Sequence, residues 1–80
     1  MLQVTRADTL DDHTLDIELN NGNLILLDIS HLLDQNPDYR GVREGGILRK
    51  PLTDSRGIYW RDGPSLTTEE ILTLLGEQKG

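Results

Sequence analysis

The chain has no cysteine. That removes disulfide staples, Cys-type zinc sites and a thiol nucleophile. A secreted chain of this size usually needs such staples, so a reducing, cytoplasmic setting is expected. Aromatic residues are almost missing: no phenylalanine, one tryptophan and two tyrosines. The core is therefore expected to rest on leucine and isoleucine, with Trp60 as its one large ring. Long apolar runs are missing as well. The longest, Leu24-Ile25-Leu26-Leu27, falls far short of the roughly 20 residues that span a bilayer. The first residues, MLQVTRADTLDD, have neither the basic start nor the apolar stretch of a signal peptide. No membrane association is expected.

What is present fits one small domain over residues 1–80. Leu, Ile and Val make up about 29% of the chain, above the roughly 20% below which charged chains tend to stay disordered. Cooperative folding around a thin core is expected, because a chain of this size hides only about 60–65% of its unfolded surface.

The net charge of −6 is unevenly spread. Residues 1–39 carry −7, residues 40–61 carry +4, and residues 62–80 carry −3. The middle segment holds Arg40, Arg43, Arg49, Lys50, Arg56 and Arg61. One reading is intramolecular, with basic strands lying beside acidic neighbours. The other makes these cations, with Tyr59, a surface for an acidic partner or a polyanion.

Period-2 alternation is clearest at Leu15, Ile17 and Leu19 against Asp16 and Glu18. Leu2 to Ala7 alternates more weakly and reads as a first strand. Asn21-Gly22 suits a two-residue type I′ hairpin turn. The return strand Leu24–Leu27 is apolar on both faces, which predicts a central strand covered on each side. Asp28 can accept an orphan amide of a following short helix, whose apolar stripe is Ile29, Leu32 and Leu33. Asn36-Pro37 ends that helix. Residues 37–46 read as the loosest stretch. Ile47–Thr53 reads as a strand that Pro51 pushes to an edge or a bulge. Gly57–Arg61 reads as another strand, with Ile58 and Trp60 on the core side and Tyr59 opposite. Thr67 and Glu70 form a capping box, Leu66 and Ile71 a hydrophobic staple, and Gly76 a C′ stop for the last helix. The expected fold is α+β: one antiparallel sheet of about five strands with two short helices, in the order β-β-β-α-β-β-α.

Two segments carry a family resemblance. One is Gly22-Asn23-Leu24-Ile25-Leu26-Leu27-Asp28-Ile29, after a strand ending in Asn-Asn. The other is Gly57-Ile58-Tyr59-Trp60-Arg61-Asp62-Gly63-Pro64-Ser65-Leu66, leading into a capped helix. In order and spacing they resemble the small bacterial family catalogued as domain of unknown function 2442, over residues 2–75. The family usually has an Asp where this chain has Ser65, and often a Phe that is absent here. The resemblance implies an interaction role, most concretely as the antitoxin-like member of a two-gene pair. Some family members continue into a helix-turn-helix segment; the sequence stops at Gly80, so no such extension is expected. It transfers no catalytic residue.

Chemistry-bearing motifs are few. Asp11-Asp12-His13 reads as a solvated turn, because three consecutive side chains rarely converge on a metal. His31 falls on the polar side of the short helix. No Ser-His-acid arrangement is legible. Gly41-x-x-x-Gly45-Gly46 lacks the Lys-Ser/Thr of a phosphate loop. The expectation is a non-enzymatic protein-interaction module without metal or cofactor. Its partner surface is expected at Arg40, Arg43, Arg49, Lys50, Arg56, Tyr59 and Arg61, or on an uncovered sheet face. The alternative is a regulatory module that contacts nucleic acid through the basic 40–61 segment.

Overall fold

The strongest alternation in the sequence becomes the centre of the first sheet. A computed structural model describes residues 1–79. In it β1 (Val4–Thr9), β2 (Thr14–Leu19) and β3 (Leu24–Asp28) form an antiparallel sheet with β2 in the middle. Leu15, Ile17 and Leu19 of β2 point into the core. The weak pattern of β1 has a physical cause. Its pairing with β2 shifts between Val4 and Arg6. The extra residue lets Val4 and Ala7, three apart, face inward together.

The β2–β3 connection differs from the expected type I′ turn. Gly22 donates to the Leu19 carbonyl at 3.0 Å, and Leu19 donates to the Asn23 carbonyl at 2.9 Å. Only Gly22, at φ 88°, is left-handed in this turn. The loop is thus three residues long, a turn closed by a left-handed glycine.

The expectation that β3 is covered on both sides is also corrected. Ile25 and Leu27 are buried, but Leu24 and Leu26 are 66% and 54% exposed. The reason is that the outward face of this sheet is open: Asp16 and Glu18 of the central strand, opposite Leu26 and Leu24, are partly exposed on it as well. Among the described residues β3 also lies at the sheet edge, paired with β2 alone. Its free edge is met by one side chain. The Asp28 amide donates to Gln78 Oε1 at 2.7 Å, and Gln78 Nε2 donates to the Leu26 carbonyl at 3.1 Å. A single carboxamide thus takes the place of part of a pairing strand and blunts the edge.

The short helix α1 spans Ser30–Gln35. Asp28 accepts from the Ser30 amide at 2.8 Å, as its position suggested, although Ile29 is the N-cap residue. Asn36 is extended before Pro37, and the helix stops there.

Residues 37–46 are more ordered than their glycines suggest. Pro37–Tyr39 form a 3-10 turn, whose Asp38 amide is accepted by the Asn36 side chain at 3.0 Å. Tyr39 and Val42 are buried. Gly45 and Gly46, both left-handed, join β4 (Arg43–Glu44) to β5 (Ile47–Leu48). The expected strand Ile47–Thr53 is broken, because Pro51 has no amide for a ladder and is itself buried. β6 (Leu52–Thr53) then starts a third sheet with β7 (Gly57–Tyr59) and β8 (Ser65–Thr67), in the order β6-β7-β8. β8 was not expected. It pairs Leu66 with Ile58, and both are buried.

Helix α2 covers Thr68–Lys79. Its capping box is formed: the Glu70 amide donates to Thr67 Oγ1 at 3.1 Å, and the Thr67 amide donates to Glu70 Oε1 at 3.0 Å. Leu66 and Ile71, the staple pair, are both buried. The helix does not stop at Gly76. That residue keeps a right-handed conformation inside α2, and the extra turn delivers Gln78 to β3.

The α+β class with antiparallel sheets and two helices therefore stands. The single five-stranded sheet does not: among the described residues there are eight short strands in three sheets. The buried apolar side chains form one cluster, with Leu32, Leu33, Leu74 and Leu75 packed against it. No helix among the described residues is long and apolar enough to cross a membrane.

Two glycines should respond in opposite directions. A Cβ at Gly57 would run into the Leu66 carbonyl and lie 2.9 Å from Thr67 Cα, between β7 and β8. Gly57→Ala is expected to cost about 2–3 kcal/mol. Gly76 has open space around its missing Cβ, so Gly76→Ala is expected to stabilise by about 0.5–1 kcal/mol. Urea unfolding of the two variants checks both signs.

Candidate functional site

The arginine-bearing segment is divided by the fold. Arg49 is a structural clamp: its guanidinium donates to the carbonyls of Gly41 at 3.2 Å and Arg61 at 3.4 Å. Its own carbonyl accepts from the Trp60 indole at 2.8 Å. Lys50 leaves the segment and pairs with Asp8 at 3.0 Å. Arg56 and Arg61 flank opposite ends of β7, about 16 Å apart along an extended chain. The Arg56 carbonyl accepts from the Thr68 amide and hydroxyl at 2.9 and 3.3 Å, while its side chain is exposed. Arg40 and Arg61 are exposed and Arg43 is half-buried. Among the described residues Arg40, Arg43, Arg56 and Arg61 have no carboxylate within 4 Å. Tyr59 is half-buried in the middle strand of the third sheet, opposite Leu52 and Ser65. The structure thus gathers the backbone around Gly41, Arg49 and Arg61, and separates Lys50 and Arg56 from it.

Trp60 lies in the core beside Ile58, as alternation indicated. Its ring meets Tyr39 edge-on, with centroids 5.8 Å apart and planes at 74°. Burial, with the Glu70 and Asp38 charges adding to it, pushes the Tyr39 hydroxyl up to about 12.

The outward face of the first sheet carries an ion network. Arg6 meets Asp8 at 2.6 Å, Glu18 at 3.3 Å and Asp16 at 3.4 Å. Asp8 stands directly opposite Asp16 in the ladder. That like-charge pairing is relieved by Arg6 and Lys50. Hydrogen bonds from Lys50 and then Arg6 hold the Asp8 carboxyl below the ordinary carboxylate range. Beside this network Leu24 lies opposite Glu18, and Leu26 opposite Asp16. The two leucines thus border a charged surface. Sequence reading missed this because a run apolar on both faces looks the same in a strand covered on both faces and in one covered on a single face.

The Asp11-Asp12-His13 side chains converge after all. His13 Nδ1 lies 2.8 Å from Asp12 Oδ1 and 3.3 Å from Asp11 Oδ1. The cause is local: Asp11 Oδ1 also accepts the His13 amide at 3.0 Å, which folds the turn back on itself. The His13 carbonyl accepts from Ile29 at 2.8 Å and ties this turn to the end of β3. Asp12 first, and then the Asp11, Asp28 and Asp12 charges, raise the His13 imidazole above its ordinary value. The cluster is an imidazole locked by carboxylates.

A groove of about 620 Å³ runs between α1 and the last turns of α2. Asp28, His31, Leu32, Leu74, Glu77 and Gln78 are among its walls. It depends on α2 continuing past Gly76, so an expected stop at that residue hid it.

The titrations set a pH window. Asp8, Asp11 and Asp28 have lowered values in the folded protein. Their stabilisation is present above the ordinary value of about 4 and is lost as pH falls through the folded values. His13 is raised, so its contribution is complete below about 6.5 and is lost as pH rises through the folded value. Thermal stability is expected to peak between about pH 4 and 6.5. His13→Gln should flatten the alkaline side of the Tm–pH curve and leave the acid side in place.

Comparison of the chain with protein-family models, with curated proteins and with solved structures finds no match in any of the three.

Proposed function

We propose that this chain is a non-enzymatic, cytoplasmic protein-interaction domain that recognises a folded partner through the outward face of its first sheet. The observation that carries this reading is the exposure of Leu24 and Leu26, 66% and 54%, at successive outward positions of β3. A sheet face that meets only water is normally polar. The outward sides of β1 and β2 follow that rule with Arg6, Asp8, Asp16 and Glu18, and β3 breaks it. An apolar pair edged by charged residues has the composition of an interface centre with its polar rim.

Other features support the reading. The absence of cysteine favours a reducing compartment. The resemblance to domain of unknown function 2442 gives the proposal its concrete form, the antitoxin-like member of a two-gene pair. The 40–61 segment is the lesser surface, because Arg49 is tied to the Gly41 and Arg61 carbonyls and the exposed Lys50 is paired with Asp8.

Co-expression with the products of the flanking genes tests the proposal. One of them is expected to co-purify with the chain, and Leu24→Lys with Leu26→Lys should abolish that complex. Exposed positions tolerate such changes within about 0.5 kcal/mol, so the variant should keep its Tm. Separate purification of every neighbour, or a complex that survives both substitutions, would contradict it.

A further inference from the structure

The α1–α2 groove has a companion. A second hollow of about 340 Å³ lies farther up α2, with Glu69 and Glu70 on its wall. Leu32 and Leu74 border both hollows. Both leucines are half-buried, so they offer apolar surface without leaving the core. Among the described residues the charged side chains around them are acidic: Asp28 and Glu77 line the first hollow and Glu69 and Glu70 the second. The Ser30 amide and hydroxyl hold the Asp28 carboxyl below the ordinary range.

The spacing is informative too. Glu70 and Glu77 are seven residues apart on one helix, about 10 Å at the helical rise. A partner helix laid along α2 presents side chains two turns apart at the same interval. An apolar residue near the midpoint of such a helix falls over Leu32 and Leu74.

We infer that the α1–α2 groove binds a basic amphipathic helical segment of a partner protein, with an apolar anchor on Leu32 and Leu74 and Lys or Arg at both acidic ends. The inference rests on the reading of this chain as a binding domain, but it uses a surface separate from the outward sheet face. A strongly apolar helix without cations would leave the acidic rims unpaired, and an acidic helix would be repelled.

A labelled 15-residue helical peptide tests this, with a leucine stripe and two lysines seven residues apart, read by fluorescence anisotropy at physiological salt. The same peptide with glutamates in place of the lysines is the control. Binding is expected only for the lysine peptide. Glu77→Lys should weaken it about tenfold, and Glu44→Lys, in the distant β4–β5 hairpin, less than about twofold. Both variants change the net charge by the same amount, so equal losses would reduce the effect to general attraction and overturn the groove. Absence of binding by the lysine peptide would overturn it as well. Loss through Leu24→Lys and Leu26→Lys, with Glu77→Lys silent, would move the site to the sheet face; the groove would fall and the interaction-domain reading would stand. Sedimentation showing a dimer that Glu77→Lys dissociates without peptide would assign the groove to a second copy and overturn the inference.

Discussion

The burial of Trp60 is the constraint from which the rest of the structure follows. The residue is 2% exposed, and every polar group it owns is committed. Its indole donates to the Arg49 carbonyl at 2.8 Å. Its amide donates to Pro64 and its carbonyl accepts from Gly63, both at 3.0 Å. Its ring and that of Tyr39 pack in a T-shaped pair. One residue thus joins the segment after β5 and the 3-10 turn through its side chain, and the β7–β8 connection through its backbone. The turn it heads is tight: Asp62 is left-handed at φ 57°, and a Cβ on Gly63 would lie 3.2 Å from Trp60 Cβ. In a chain with no phenylalanine and no disulfide, three short sheets need such a pin, because two-residue ladders cannot hold themselves together in water.

That commitment bears on function. A tryptophan spent on the core is not a platform for stacking nucleobases. Arg49, whose guanidinium ties the Gly41 and Arg61 carbonyls together, belongs to the same assembly. The middle segment therefore has its positive charge for two different reasons: part of it builds the fold, and part of it faces water. The leucines on the outer side of β3 and the hollows beside α2, where recognition is proposed, belong to neither part.

The legible parts of the sequence were those with strong local chemistry. The capping box at Thr67 and Glu70, the staple at Leu66 and Ile71, the period-2 pattern of β2 and the inward pairing of Ile58 with Trp60 were all readable from spacing alone. What was not readable depends on contacts distant in the chain. A bulge at Thr5 changes which residues of β1 face inward, and no local pattern marks it. Leu24–Leu27 fits a strand covered on both faces as well as one covered on a single face, and only what packs on the outward face decides. Tyr39 and Val42 lie in a stretch rich in glycine and polar residues, yet both join the core cluster, Tyr39 against the Trp60 ring. Gly76 reads as a helix terminator, but the carboxamide of Gln78 finds a partner on β3, and the helix runs on to reach it.

A single tryptophan makes the burial of this side chain directly measurable. Its fluorescence reports on Trp60 alone. Buried in the core, it should emit as in an apolar setting, resist acrylamide, and move to the water-exposed value in one step that coincides with loss of the far-UV signal during urea unfolding. Emission already at the exposed value in the folded protein, or freely quenched there, would contradict the pin and everything built on it.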